Sequence, residues 1–113
     1  MFRSEIEFLK HILDETAFIL EYTQNISQQE FLKDEVYKRA SARSVEIIGE
    51  AVKNLSKEFR EQHPSIDWKK ITGTRDRLIH GYMEIDYDLL WDIIRNKVPQ
   101  LDQDIKQIIK NLS

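Results

Sequence analysis

The stretch Thr74–Asp86 reads Thr-Arg-Asp-Arg-Leu-Ile-His-Gly-Tyr-Met-Glu-Ile-Asp and concentrates the polar chemistry of this chain. Within it, Arg75, His80 and Tyr82 are spaced as R-x4-H-x-Y around a single glycine. A guanidinium group binds phosphate oxygens through paired hydrogen bonds, and an imidazole exchanges protons near neutral pH. The stretch therefore predicts a polar site at the end of a helix, held in place by helices on either side.

The segments on either side of this stretch have the pattern of an all-α protein. Apolar residues recur at intervals of three and four, which places them on one face of a helix. The chain has 113 residues with only 3 Gly and 2 Pro, which leaves few of the turns that an all-β fold needs. This length suits one hydrophobic core. We therefore expect a single domain over residues 1–113, folded as an antiparallel bundle of about four to five helices.

Caps and prolines predict where these helices begin and end. Ser27 and Glu30 fit a capping box, in which each side chain binds the backbone amide of the other residue. Asp67 and Asp86 can each cap a later helix, and Gly81 fits the left-handed position that ends one. The predicted helices cover about residues 4–23, 27–59 with a joint near 33–34, 68–80 and 86 onward, with Pro99 as a kink or the start of a fifth helix.

The second predicted helix carries two apolar stripes. The first contains Val36, Ala40, Ser44, Ile47, Ile48, Ala51 and Leu55, and the second contains Ala42, Val45, Val52 and Phe59. Two stripes indicate an internal core and a second contact, for which an interface between subunits is one candidate. Gly49 lies in the middle of this helix, where glycine costs about 1 kcal/mol relative to alanine. Either a close helix approach requires it or the helix simply tolerates it.

Composition excludes several classes of protein. The chain has no cysteine, which excludes disulfides and thiolate chemistry. No apolar run approaches the roughly 20 residues of a membrane span, and the first residues lack the apolar core of a signal peptide. We therefore expect a cytoplasmic protein with no membrane association.

The net charge of −3 argues against a large nucleic-acid surface but allows a local basic cleft. Two groups of cations lie close together in the sequence. The first group is Lys69, Lys70, Arg75 and Arg77, and the second is Lys38, Arg39 and Arg43.

The spacing of the motif suits one reaction. On a helix, Asp76 and His80 share a face, so the carboxylate can fix the imidazole tautomer and favour its protonated form. Arg75 can reach a phosphate, while Arg77 and Lys70 are candidates for RNA contacts. Cleavage of RNA by its own 2′-hydroxyl needs a base, an acid and positive charge on the phosphorus, and it needs no metal or cofactor. A twofold dimer would supply the second histidine.

The same residues also allow a purely structural interpretation. Arg75 can be a surface ion-pair partner, Asp76 and His80 an ordinary helix pair, and Tyr82 a core or rim aromatic. Glu46 and Glu50 are expected on a solvated or partner-facing edge, because no His, Asp and Glu set has metal-ligand spacing. Trp68 and Trp91 are expected to be packing anchors, and His11 and His63 surface residues.

Several further segments, in order along the chain, resemble the HepT-like branch of the HEPN superfamily. They are Ser44–Leu55 with its Glu-Ile-Ile-Gly-Glu-Ala signature, Ile66-Asp-Trp68, Ile71-x-Gly73, the R-x4-H-x-Y motif itself, Ile85-Asp86, Trp91 and Pro99-x-Leu101.

The resemblance implies a homodimeric helical bundle with the motif in a cleft at the interface. It implies a metal-independent endoribonuclease that is the toxin of a toxin–antitoxin module, with Arg75 and His80 as the catalytic pair. The implied partner is a MntA-like nucleotidyltransferase antitoxin, which transfers AMP from ATP to Tyr82. The added phosphate would repel RNA beside Arg75. The alternative is a non-catalytic nucleotide-binding or scaffold subunit that partners a nucleotidyltransferase.

One residue departs from the pattern of the family. Many relatives carry asparagine directly after the motif arginine, whereas this chain carries Asp76. The carboxylate adds negative charge to a site that must hold phosphate, so it either raises the pKa of His80 or weakens RNA binding. The departure bears on the rate of cleavage more than on the role of the motif.

Overall fold

The computed structural model describes residues 2–79 and 84–112. In these two ranges the chain forms seven helices and no strand. They are α1 (Phe2–Thr23), α2 (Gln28–Lys33), α3 (Glu35–Asn54), α4 (Lys57–Gln62), α5 (Trp68–Leu78), α6 (Tyr87–Asn96) and α7 (Val98–Leu112). The all-α bundle is confirmed. The predicted helix over residues 27–59 is divided into α2, α3 and α4, which accounts for most of the difference in helix number.

The first of these divisions was predicted. Ser27 forms the expected capping box with Glu30, and its hydroxyl oxygen lies 3.1 Å from the Glu30 amide. Asp34 then takes an extended conformation, with φ −96° and ψ 101°, so α2 cannot continue through it. Its carboxylate accepts a hydrogen bond of 2.9 Å from the Tyr37 amide and thereby caps α3.

The second division was missed. Leu55 is extended, with φ −69° and ψ 139°, and ends α3. The Ser56 hydroxyl accepts a hydrogen bond of 3.0 Å from the Phe59 amide and begins α4. The apolar spacing continues through this break because Leu55 and Phe59 both enter the core.

The central helix α3 packs against α1 on one side and α5 on another. Its buried residues are Ser41, Ala42, Ser44, Val45, Ile48, Gly49, Ala51 and Val52. These come from both predicted stripes, so the second stripe lies in the core of its own chain. The expectation that this stripe serves an interface between subunits is therefore wrong for these residues. Val36, predicted in the first stripe, is 72% exposed instead.

The later helices follow the predicted caps. The Asp86 carboxylate accepts a hydrogen bond of 2.9 Å from the Leu89 amide and caps α6. A break at Lys97 separates α6 from α7, and Pro99 is the second residue of α7. Proline is tolerated in the first turn because amides there have no partner in the helix. Pro99 therefore belongs to the start of a separate helix and is not a kink.

Both tryptophans are packing anchors, as expected. Trp68 is buried, and its indole N–H donates a hydrogen bond of 3.0 Å to the carbonyl of His63. Trp91 packs against Phe31 with 5.1 Å between ring centroids. The Arg95 guanidinium lies 4.3 Å from the Trp91 ring centroid, which adds a cation–π contact on α6.

A buried polar contact joins α1 to α7. The Thr16 hydroxyl donates a hydrogen bond of 2.7 Å to Asp102, and Lys106 Nζ lies 2.8 Å from the second carboxylate oxygen. Thr16 and Asp102 are both buried. Each carboxylate oxygen thus has a partner, which offsets the cost of removing the charge from water.

None of the helices in the described ranges is long and apolar enough to cross a membrane.

We predict that Asp102→Ala lowers the free energy of unfolding by about 1–3 kcal/mol, because it removes the buried hydrogen bond that joins α1 to α7 and leaves the Thr16 hydroxyl only the Leu13 carbonyl among the described residues. Urea unfolding followed by circular dichroism measures the change. The control is Asp104→Ala on the same helix, where the carboxylate accepts a hydrogen bond only from Gln100 of α7, and it should cost less than about 0.5 kcal/mol. Equal losses in the two variants would contradict the importance of the buried contact.

Gly49 provides a second prediction. Apart from the adjacent residues and the nearby backbone of α3 itself, a Cβ atom built at this position meets no atom of the described residues within 4 Å, so no close approach among these residues requires glycine there. We therefore expect Gly49→Ala to raise the free energy of unfolding by about 0.5–1 kcal/mol through helix propensity. Gly73→Ala in α5 is the control. Its Cβ position is equally open, so this substitution should not destabilise the protein either. Destabilisation by Gly49→Ala alone would show that another surface packs against α3 at this point.

Candidate active site

Helix α5 carries the first part of the motif and ends earlier than predicted. The Asp67 carboxylate accepts a hydrogen bond of 3.0 Å from the Lys70 amide, and the helix runs through Gly73 to Leu78. Ile79 is extended, with φ −103° and ψ 109°. The helix therefore ends before the predicted boundary at residue 80, and the predicted pairing of Asp76 with His80 lies outside the described residues.

A short antiparallel pairing explains this early end. Ile79 forms an isolated bridge with Ile85, and the Asp86 amide donates a hydrogen bond of 2.8 Å to the carbonyl of Leu78. An extended β-branched residue suits such a pairing better than another helical turn does. The chain therefore returns to the end of α5 only a few residues after leaving it. Within this return, His80, Gly81 and Tyr82 lie outside the described residues.

Arg75 lies at the contact between α5 and α3. Its Nε atom is 3.5 Å from Oε2 of Glu46, which is an ion pair without the geometry of a hydrogen bond. The Nε atom is buried, whereas the side chain as a whole is 41% exposed. Within the described residues, the guanidinium of Arg75 forms an ion pair with Glu46 alone and donates no side-chain hydrogen bond.

Glu46 also contacts an arginine of its own helix. Arg43 Nη1 lies 3.8 Å from Oε1 of Glu46 and 3.9 Å from Oε1 of Glu50. The four side chains form a row of alternating charge, Arg75, Glu46, Arg43 and Glu50. Sequence spacing could not reveal the first of these contacts, because it depends on how α3 packs against α5. Glu46, expected on a solvated or partner-facing edge, thus contacts the motif arginine.

The RNA-binding candidates Lys70 and Arg77 lie on a different face of α5. With Thr74 they line a groove of about 460 Å³ that α6 and α7 complete. Arg77 Nη2 donates a hydrogen bond of 3.3 Å to the Thr74 hydroxyl. Asp76 is exposed and makes no hydrogen bond or ion pair with another described residue. The structure therefore places Lys70 and Arg77 on one surface of α5 and Arg75 on another.

The second basic group is largely paired with carboxylates of its own helix. Lys38 Nζ and Arg39 Nη2 lie 2.8 and 3.3 Å from Glu35. The hydrogen bond and charge of Lys38, with a smaller effect of Arg39, lower the pKa of the Glu35 carboxyl.

Across residues 2–79 and 84–112, no three His, Cys, Asp or Glu side chains are grouped so that they could hold a metal ion.

The chain thus combines an all-α bundle with an R-x4-H-x-Y sequence that begins in the last turn of α5. The chain belongs to the ribonuclease HepT-like family, whose sequence model matches residues 12–108. The family match supports an endoribonuclease activity.

Proteins in other organisms are similar over most of the chain. The protein named "Putative RNase TTE0752" from Caldanaerobacter subterraneus subsp. tengcongensis is 48% identical over 103 residues, which cover 91% of this chain and 92% of that protein. "Putative RNase MJ0127" from Methanocaldococcus jannaschii is 44% identical over 105 residues, or 93% and 87% of the two chains. "Probable ribonuclease HepT" from Thermococcus cleftensis is 36% identical over 110 residues, or 97% and 100%. No solved structure matches this chain.

Proposed function

We propose that this protein is a metal-independent endoribonuclease in which Arg75 and His80 are the catalytic pair. The observation that supports it most directly is the state of Arg75. Its Nε atom faces Glu46, and its terminal nitrogen atoms have no hydrogen-bond partner among the described residues. A planar guanidinium can bind a phosphodiester through its two terminal nitrogen atoms. His80 follows Ile79 directly in the sequence, and Ile79 pairs with Ile85 at the end of the same helix.

The reaction proposed for this site is cleavage of RNA by its own 2′-hydroxyl. One imidazole takes the proton of the 2′-hydroxyl while the bond between O2′ and phosphorus forms. A second imidazole gives a proton to the 5′-oxygen as its bond to phosphorus breaks. Arg75 stabilises the negative charge that collects on the phosphoryl oxygens. The products are a 2′,3′-cyclic phosphate and a 5′-hydroxyl.

This scheme proposes a homodimer, because each chain contains one motif histidine. A twofold axis near the end of α5 would bring the His80 and Arg75 residues of two chains to one cleft. Since the second stripe of α3 is buried in its own chain, the dimer contact must use other surfaces. Asp76 follows Arg75 directly and is exposed. We propose that its carboxylate supports His80 in catalysis. Lys70 and Arg77 are proposed to contact RNA away from the reacting phosphate.

We further propose that the protein is the toxin of a toxin–antitoxin module in the cytoplasm. A MntA-like nucleotidyltransferase would act as the antitoxin. The Tyr82 hydroxyl would attack the α-phosphorus of ATP, with pyrophosphate as the leaving group and loss of the phenolic proton. The resulting AMP–tyrosine carries a negative phosphate that would occupy Arg75 and repel RNA. The family membership and the presence of a tyrosine two residues after His80 support this part of the proposal.

We predict that the purified protein cleaves RNA in excess EDTA and leaves 2′,3′-cyclic phosphate ends. Arg75→Ala and His80→Ala should each lower the rate on the order of 10²- to 10⁴-fold, because each removes a group that acts in the transition state. Gel analysis of an end-labelled RNA measures both the rate and the chemistry of the ends.

The matched control for removal of an arginine is Arg39→Ala. Arg39 is an exposed residue of α3 that pairs with Glu35, and its loss should leave the rate within about twofold of the wild-type value. The same weak background in the wild type and all variants would contradict the nuclease. That result would favour the non-catalytic scaffold that partners a nucleotidyltransferase.

The modification makes a separate prediction. Incubation with a MntA-like nucleotidyltransferase and ATP should attach AMP to the wild-type protein and abolish RNA cleavage. Tyr82→Phe should prevent the attachment because it removes the nucleophilic oxygen. Tyr87→Phe, at the start of α6, is the control and should be labelled as the wild type is. Mass spectrometry of intact and digested protein measures the label. Attachment to a residue other than Tyr82 would contradict the proposed target.

A further inference from the structure

We propose that Glu46 is a positioning residue for Arg75, an inference that rests on the nuclease function proposed above. Glu46 would fix the orientation of the guanidinium through its contact with Nε, so that Nη1 and Nη2 of Arg75 face the phosphate. The residue lies on α3, far from the motif in sequence, and neither the motif spacing nor the family match assigns it a role.

The contact geometry divides the guanidinium into two sides. The Nε atom is buried and lies 3.5 Å from Oε2 of Glu46. The terminal nitrogen atoms have no hydrogen-bond partner in the part of the chain that the structure describes. A phosphate that binds through Nη1 and Nη2 can therefore do so while Glu46 remains at Nε. The two anions would occupy different edges of the same planar group.

The carboxylate is itself held in place. Its Oε1 atom is 3.8 Å from Arg43, while Oε2 is directed at Arg75. Apolar residues surround the pair, and they come from α3, from the end of α5 and from the short pairing that follows it. They are Ala42, Val45, Leu78, Ile79 and Ile85. This environment limits the positions that the Arg75 side chain can adopt, as a site that must hold a transition state requires.

Two other roles for Glu46 make different predictions. If Glu46 competed with phosphate for Arg75, its neutralisation would strengthen RNA binding and raise the rate. If it were only an ion pair at the surface of the helix contact, its neutralisation would change stability by about 0–1 kcal/mol and leave kinetics unaltered. A positioning role instead predicts a loss in kcat with little change in KM, because the cation remains but its orientation is lost.

The test is Glu46→Gln, which keeps the shape of the side chain and removes its charge. Steady-state cleavage of an RNA oligonucleotide with one cleavage site should show kcat lowered on the order of 10- to 100-fold and KM within about threefold of the wild-type value. Glu50→Gln is the matched control, since it makes the same chemical change one turn later on α3, against Arg43 alone. It should leave kcat unchanged. A kcat for Glu46→Gln equal to or above that of the wild type would overturn the proposal.

A double-mutant cycle tests whether Glu46 acts through Arg75. In an Arg75→Ala background, Glu46→Gln should cause no further loss of kcat, because the group that it positions is absent. A full additional loss would overturn the proposal by showing that Glu46 acts independently. Urea unfolding of each variant confirms that the compared proteins are folded.

A measurement without RNA separates this inference from the nuclease itself. The NMR signal of the Arg75 Nε–Hε pair, assigned by its loss in Arg75→Lys, should shift in Glu46→Gln and stay unchanged in Glu50→Gln. If the wild type cleaves no RNA but this shift is observed, the nuclease proposal fails and the orientation of Arg75 by Glu46 stands. Absence of the shift overturns the positioning role whether or not RNA is cleaved.

Discussion

The fold depends on the burial of α3 along two sides at once. Helix α1 packs against one side and α5 against another. Five of the eight buried residues of α3 are Ser, Ala or Gly, and the distance between packed helices depends on the size of the side chains at the contact. The Ser44 hydroxyl adds a hydrogen bond of 2.7 Å to Glu15 of α1. The position of α5, and with it the position of Arg75, therefore follows from the residues of a helix that carries none of the motif.

This arrangement explains why a charged pair is found at a helix contact with apolar surroundings. The Nε atom of Arg75 is buried, and a polar atom that is removed from water is costly unless a partner lies close to it. Glu46 supplies that partner from α3. Both side chains remain partly exposed, at 41% for Arg75 and 28% for Glu46, so the pair contributes little to stability. Its main consequence is geometric, since it limits the directions in which the terminal nitrogen atoms of Arg75 can point.

The sequence predicted those features that local chemistry determines. The capping box at Ser27 and the caps at Asp67 and Asp86 are confirmed, because a cap requires only a side chain and an amide a few residues later. The break at Leu55 and Ser56 was missed although Ser56 is a local cap, whereas the end of α5 and the contact between Arg75 and Glu46 depend on tertiary contacts. Helix α5 ends at Leu78 because Ile79 pairs with Ile85, and neither partner carries a local stop signal.

The same distinction applies to the two stripes of α3 and to the site. A stripe marks a buried face but does not identify what covers it, so α5 could not be told from a second subunit. The spacing of the motif identified Arg75, and nothing in that spacing identified Glu46. The prediction of His80 and Tyr82 rests on the motif alone, since both lie outside the described residues.

The two faces of α5 constrain how RNA would meet the site under the proposed function. Arg75 is directed toward α3, whereas Lys70 and Arg77 line the groove bounded by α6 and α7. Because the groove also contains Asp92 and Asp104, its charge is mixed and does not form a continuous basic track. An RNA strand that used both faces would have to pass around the C-terminal end of α5. That end is where Ile79 pairs with Ile85, the two residues between which His80 lies in the sequence, so the proposed function would bring RNA binding and chemistry to the same end of α5.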